Sequence, residues 1–174
     1  MGDIDKKKST IEQAGEDLFN FAIERDDVKW LIAGLAKETT VKPTSVEYEL
    51  QLLKIISVGW SISYFLEGTP KRKTSLSKVF WEAINAFSKG LSETTGLMIG
   101  QDIDYFEILK ARFDTFLAAM AENAEANDPT AVIGPVFAEL CGDRDDIFAA
   151  MAGSKLFNTT ANRVRRYLEA LKLR

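Results

Sequence analysis

Apolar residues recur three and four positions apart along most of the chain, and this spacing restricts the fold to helices. The longer runs are Leu76, Phe80, Ala83, Phe87 and Leu91; Phe106, Leu109, Phe113, Phe116, Leu117 and Met120; and Val164, Tyr167, Leu168 and Leu171. Residues at this spacing share one face of an α-helix. The pattern therefore predicts amphipathic helices that bury one face in a common core.

Local signals predict where these helices begin. Three pairs have the spacing of a capping box, in which two side chains satisfy free amides of the first turn: Ser9 and Glu12, Thr44 and Glu47, and Asp104 and Glu107. Asp128 before Pro129 fits an N-cap followed by proline at the first helical position. The acids at 143, 145 and 146 mark another helix start.

Glycine and proline predict where helices end. Candidate ends are Gly68, Gly96, Gly142 and Gly153, because glycine is favoured just past a helix C-terminus. Pro135 supplies no amide, and its ring clashes with the preceding turn. It therefore predicts that the segment from Pro129 to Leu140 forms two short helices.

The segment from Ile56 to Tyr64, ISVGWSISY, alternates large apolar residues with small ones, as a strand would. An isolated strand leaves its amides and carbonyls unpaired, and no other segment offers a comparable alternating run. We therefore predict a helix over residues 45–67. It is apolar on nearly every side in its second half, which places it at the centre of the molecule.

These signals together predict an all-α fold. We expect a single domain over residues 1–174, packed as an irregular bundle of about six or seven helices with no sheet. A chain of 174 residues with 46% apolar content is long enough for one core.

Gly59 and Ser63 lie one helical turn apart on the predicted central helix. Small residues there leave room for a neighbouring helix, which is the commoner outcome in a packed core, or for a small molecule. In the second case the groove beside Gly59 is lined by candidate ligand-binding residues: Tyr48, Gly59, Trp60, Ser63 and Tyr64. Both alternatives stay open on sequence alone.

The chain has no histidine and a single cysteine, Cys141. These absences disfavour zinc sites, haem ligation by histidine, and Ser-His or Cys-His nucleophiles. Asp102, Asp104 and Glu107 carry oxygen ligands suited to Mg²⁺ or Ca²⁺, but capping explains acids at a helix start. We therefore predict no catalytic residue, no metal and no cofactor, which favours a non-catalytic protein.

Charge is unevenly distributed in the last third of the chain. Residues 101–152 contain eleven acids and three bases, whereas residues 153–174 contain six bases and one acid. The basic segment predicts a terminal helix that binds a partner through Arg163, Arg165 and Arg166. Its nearest counter-surface is the acidic segment of the same chain or of a second copy. Nucleic acid is a weaker alternative, because a pI near 5.0 opposes binding to a polyanion.

The leading hypothesis is a non-catalytic helical interaction or regulatory module in the cytoplasm, which binds a protein partner or associates with itself. The alternative is a small-molecule-binding or enzymatic bundle that uses the groove beside Gly59. The chain shows neither a secretory signal nor the run of about 18 apolar residues that a membrane span needs. A lone cysteine also suits a reducing compartment.

Overall fold

The computed structural model describes residues 9–125 and 128–173. Seven α-helices lie in these ranges: α1 (Thr10–Ile23), α2 (Asp26–Ala33), α3 (Pro43–Phe65), α4 (Pro70–Ile99), α5 (Tyr105–Glu122), α6 (Pro129–Cys141) and α7 (Ile147–Ala170). Neither range contains a strand, so the predicted all-α helical bundle is confirmed. The prediction that residues 1–174 form a single domain stays a prediction.

The central helix is α3, as the sequence predicted. It contacts each of the other six helices, and the segment from Ile56 to Tyr64 is helical throughout. One cluster of buried apolar residues receives side chains from all seven helices. The alternation of large and small residues in this segment is therefore incidental to its helical structure.

Side chains cap four of the helices. Ser9 and Glu12 form a capping box at α1, and Asp104 accepts a hydrogen bond from the amide of Glu107 at α5. Asp128 and Asp146 cap α6 and α7 in the same way. The predicted capping box at Thr44 is wrong. Helix α3 begins at Pro43, which is preorganised for the first turn and needs no amide there.

Helix α6 runs through Pro135 without a break, so the prediction of two short helices is wrong. The residues on either side of the proline pack against α7: a Cβ on Gly134 would stand 2.9 Å from the carbonyl oxygen of Ala150, and Phe137 is fully buried. This burial outweighs the single backbone hydrogen bond that proline removes.

Two predicted helix ends are also wrong. Helix α4 continues past Gly96 and ends at Gly100, whose φ of 67° is left-handed. Gly153 lies inside α7, where a Cβ would stand 2.5 Å from the Phe137 ring, so this glycine allows α6 to approach closely. Gly142 caps the C-terminus of α6, as predicted.

Asp146 joins the first turn of α7 to the loop between α2 and α3. One carboxylate oxygen accepts from the Thr39 hydroxyl and the Thr40 amide, both at 2.6 Å, and the other accepts from the Ala149 amide at 2.9 Å. Burial raises the pKa of Asp146, but these hydrogen bonds together lower it well below the ordinary aspartate value. The carboxylate thereby fixes the loop that follows α2.

Candidate functional site

A groove runs along α7, between this helix and the segment that contains α1 and α2, and α6 adds to its lining at one end. One wall consists of α7 side chains spaced four residues apart: Met151, Lys155, Thr159, Arg163 and Tyr167. Adjoining hollows of about 640, 490 and 280 Å³ make up the groove, and neighbouring hollows share Lys155 or Arg163. At 1.5 Å per residue, this wall is about 24 Å long. We call this feature the α7 groove.

The hollow of about 640 Å³ lies at one end of the α7 groove, which we call the Trp30 end, and its lining is mainly apolar. Trp30 is 61% exposed and Met151 is also exposed. Leu31, Leu35, Pro135 and Phe148 complete its apolar lining. Helix α2 is short, and its one buried residue is Val28, so its outer face leaves Trp30 in solvent. An exposed apolar cluster of this kind is typical of a binding surface.

Two cations of the α7 groove rest on aromatic rings. The Lys155 ammonium lies 4.2 Å from the centre of the Trp30 ring, and the Arg163 guanidinium lies 5.7 Å from that of Phe21. Among the residues that the structure describes, no carboxylate lies within 4.0 Å of either cation. Exposed cation–π contacts are worth only about 0.5–1 kcal/mol. Both cations are therefore available to an incoming carboxylate.

Of the acids on the opposite wall, Asp17 is hydrogen-bonded to a side chain of α7. The Tyr167 hydroxyl donates to Asp17 at 2.5 Å, and this bond lowers the pKa of the Asp17 carboxyl. Burial and the same bond raise the pKa of Tyr167, so its hydroxyl stays protonated near neutral pH. Glu24 and Asp26 are exposed in the middle of the groove.

A buried ammonium group supports this wall from beneath. Lys54 of α3 is only 1% exposed, and it donates to the Glu24 carbonyl at 2.7 Å and to the Asp27 carboxylate at 2.8 Å. Its third neighbour is the Phe21 ring, whose centre lies 4.6 Å away. Lys54 thus fixes the junction between α1 and α2. Sequence reasoning missed this role, since one lysine in an apolar helix does not reveal its partners.

Another polar cluster lies outside the groove, between α3 and α5. Arg112 donates through two nitrogens to both carboxylate oxygens of Glu49, with the shortest bond at 2.9 Å, and this bonding raises the pKa of Arg112. Burial raises the pKa of the Cys141 thiol to about 12, so the thiol is protonated at neutral pH. The cluster therefore joins helices and presents no activated nucleophile.

The space beside Gly59 is occupied by another helix. A Cβ at Gly59 would stand 2.2 Å from the Trp81 ring of α4, so the groove that sequence reasoning placed there is filled. Close packing, the other alternative that the sequence left open, accounts for this glycine.

The other four candidate ligand-binding residues do not surround an open cavity with Gly59. Trp60 stacks on Tyr64, with ring centres 4.6 Å apart, and contacts Phe157 of α7 at 5.0 Å. Ser63 and Tyr64 are exposed to solvent. Tyr48 lies about three helical turns from Gly59 along α3, beside the Glu49–Arg112 pair. Burial raises the pKa of the Tyr48 hydroxyl. The described parts of the α7 groove include none of these residues.

The three candidate partner-binding arginines occupy different positions on α7. Arg163 lines the α7 groove, whereas Arg166 is exposed and does not line it. Arg165 is half-buried, and its Nε atom has no hydrogen-bond partner within the described residues. Arg165 lies about 160° around the helix from Arg163, so all three cannot share one surface. Arg166, three residues after Arg163, lies on the neighbouring face just outside the groove.

The predicted absence of a metal site stays a prediction, but two of the three acids named as candidate ligands have other partners. Asp104 caps α5, and Glu107 accepts from Lys110 at 2.8 Å. Over residues 9–125 and 128–173, no group of three or more His, Cys, Asp or Glu side chains is arranged to hold a metal ion. No helix in these ranges has the length and apolar character needed to cross a membrane.

Comparison with known proteins found no family model that matches the chain, and neither the curated proteins nor the solved structures gave a match. The functional assignment therefore depends on the residues of the α7 groove. They combine an apolar end, two cations with no carboxylate within 4.0 Å in the described ranges, and a length of several helical turns.

Proposed function

We propose that this protein is a non-catalytic interaction module that binds a helical segment of another polypeptide in the α7 groove. The observation that carries the proposal is the pair of cations, Lys155 and Arg163, held on aromatic rings with no carboxylate of the described chain within 4.0 Å. A partner that brings carboxylates would satisfy both.

The shape of the groove favours a polypeptide over a small molecule. Its hollows adjoin end to end and open to solvent, whereas drug-sized ligands bind in cavities that enclose most of their surface. A length of about 24 Å equals that of a helix of about 16 residues. Helices bind in such grooves through apolar side chains at one-turn spacing.

The lining determines which segment fits. The Trp30 end favours large apolar side chains, and burying them is the main source of affinity. Lys155 and Arg163 favour acids on the side that faces α7, while Glu24 and Asp26 disfavour acids on the opposite side. Charges of this kind contribute mostly to specificity and to the rate of association. We expect the protein to act in the cytoplasm, where a lone thiol such as Cys141 stays reduced.

Selection from a phage-displayed library of helical peptides tests the proposal. We expect enriched peptides to combine apolar residues at helical spacing with acids on one adjacent face. Arg163→Glu, inside the groove, should weaken binding of a selected peptide by at least about tenfold. Arg166→Glu is the matched control, because it makes the same charge change on the same helix outside the groove.

Three results would overturn the proposal. The first is a selection that enriches no peptide. The second is equal weakening by Arg163→Glu and Arg166→Glu, which would indicate an attraction to overall charge. The third is wild-type binding to RNA or DNA that falls steeply with added salt, because it would assign the basic helix to nucleic acid.

A further inference from the structure

The C-terminal end of α4 carries three consecutive apolar residues that are mostly exposed to solvent. Leu97, Met98 and Ile99 are 89%, 78% and 59% exposed. Successive residues on a helix point about 100° apart, so exposure of all three leaves this helix end free around much of its circumference. Gly100 then ends the helix. These residues form a protruding apolar group, which we call the α4 tip.

Acids outnumber bases beside the α4 tip, where one hollow is lined by four acids and Lys89. Residues 91–107 contain Glu93, Asp102, Asp104 and Glu107 and no base. Asp104 and Glu107 are engaged as the cap of α5 and the partner of Lys110. Glu93 and Asp102 have no cation within 4.0 Å in the described part of the chain.

The Trp30 end of the α7 groove has the complementary character. Its lining contains Lys155 and, among the described residues, no acid. The apolar Trp30 end matches the apolar α4 tip, and Lys155 complements Glu93 and Asp102 in charge. The two surfaces share no residue.

We propose that the α4 tip of one copy of this chain binds the Trp30 end of the α7 groove of a second copy. This inference rests on the proposed function and names the partner. Leu97, Met98 and Ile99 contact Trp30 and Met151, while Glu93 and Asp102 approach the α7 wall that carries Lys155. Because the two surfaces differ, the contact is head-to-tail and leaves a free tip and a free groove at its ends. Such contacts produce rings or open chains.

Complementation between two defective variants tests this geometry. The tip variant carries Leu97→Ser and Met98→Ser, and the groove variant carries Met151→Ser and Lys155→Glu. All four positions are exposed, so circular dichroism and thermal unfolding should remain close to wild type. In sedimentation velocity, we expect the wild type to form species larger than a dimer as concentration rises, and each variant alone to stay monomeric.

An equimolar mixture of the two variants should form a complex of two chains and nothing larger. The mixture contains one intact tip and one intact groove per pair, so a single contact forms and cannot propagate. Leu117→Ser, at an exposed apolar position on α5, is the control and should associate like the wild type. A monomeric wild type, association by either variant alone, or a mixture that stays monomeric would overturn the inference. A monomeric wild type that still binds selected peptides would leave the proposed function standing.

Discussion

Single residues determine whether the α7 groove has a defined wall. Lys54 fixes the junction of α1 and α2 from within the core, and Gly59 lets Trp81 pack directly on α3. A buried charge is tolerated only when other groups stabilise it, and here two hydrogen bonds, to the Glu24 carbonyl and the Asp27 carboxylate, and the Phe21 ring surround the ammonium. The chemistry of the surface groove therefore depends on residues that a ligand never contacts.

Lys54→Met should destabilise the protein by about 2–3 kcal/mol, because it leaves the Glu24 carbonyl and the Asp27 carboxylate without their cation. Chemical denaturation measures the loss. Lys29→Met, at an exposed lysine of α2, should change stability little. If the two variants lose the same stability, the buried ion pair does not support the groove wall.

Gly59→Leu should cost about 2 kcal/mol or more, because even its Cβ would stand 2.2 Å from the Trp81 ring. Gly90→Ala in α4 is the contrasting change. No atom lies within 4 Å of its added Cβ, so the gain in helix propensity should stabilise the protein by about 1 kcal/mol. Thermal unfolding distinguishes them, and a Gly59→Leu variant as stable as wild type would contradict the packing that we describe.

Helices were predictable where local chemistry decides their limits and less so where packing does. The caps at Ser9, Asp104 and Asp128 are local side-chain contacts that sequence spacing reveals. The predictions at Pro135 and Gly153 were wrong because contact between α6 and α7 decides both positions. This contact keeps Pro135 inside a continuous helix, and it requires a small residue at 153. Glycines that end helices and glycines that admit a neighbour look alike in sequence.

The start of α7 should make stability depend on pH. The folded state lowers the pKa of Asp146, so its contribution is present above the unfolded pKa of about 4 and is lost as pH falls toward the folded value. Asp146→Asn should lose about 1–3 kcal/mol at neutral pH and show a shallower acid decline. Asp145→Asn, at the exposed neighbouring residue, is the control. Parallel acid declines for Asp146→Asn and wild type would contradict this role.

Two places on the molecule combine exposed apolar surface with charge. The α4 tip has acids beside it, and the Trp30 end of the α7 groove has Lys155. The sequence revealed the charge asymmetry and named Arg163, Arg165 and Arg166 together, but of these only Arg163 lines the groove. It could not reveal Trp30 as a groove residue. Trp30 and Met151 lie far apart in the chain and meet only through the packing of α2 beside α7.

The central claim is that the Trp30 end of the α7 groove receives a polypeptide. Fluorine NMR of protein labelled with 5-fluorotryptophan tests it directly, because the chain has three tryptophans, of which Trp30 lies in the groove while Trp60 and Trp81 are partly buried against the helical core and line no part of the groove. Trp30→Phe assigns the Trp30 resonance. On titration with a selected peptide, we expect that resonance to shift and the other two to stay in place. A peptide that binds while the Trp30 resonance does not move would contradict the claim.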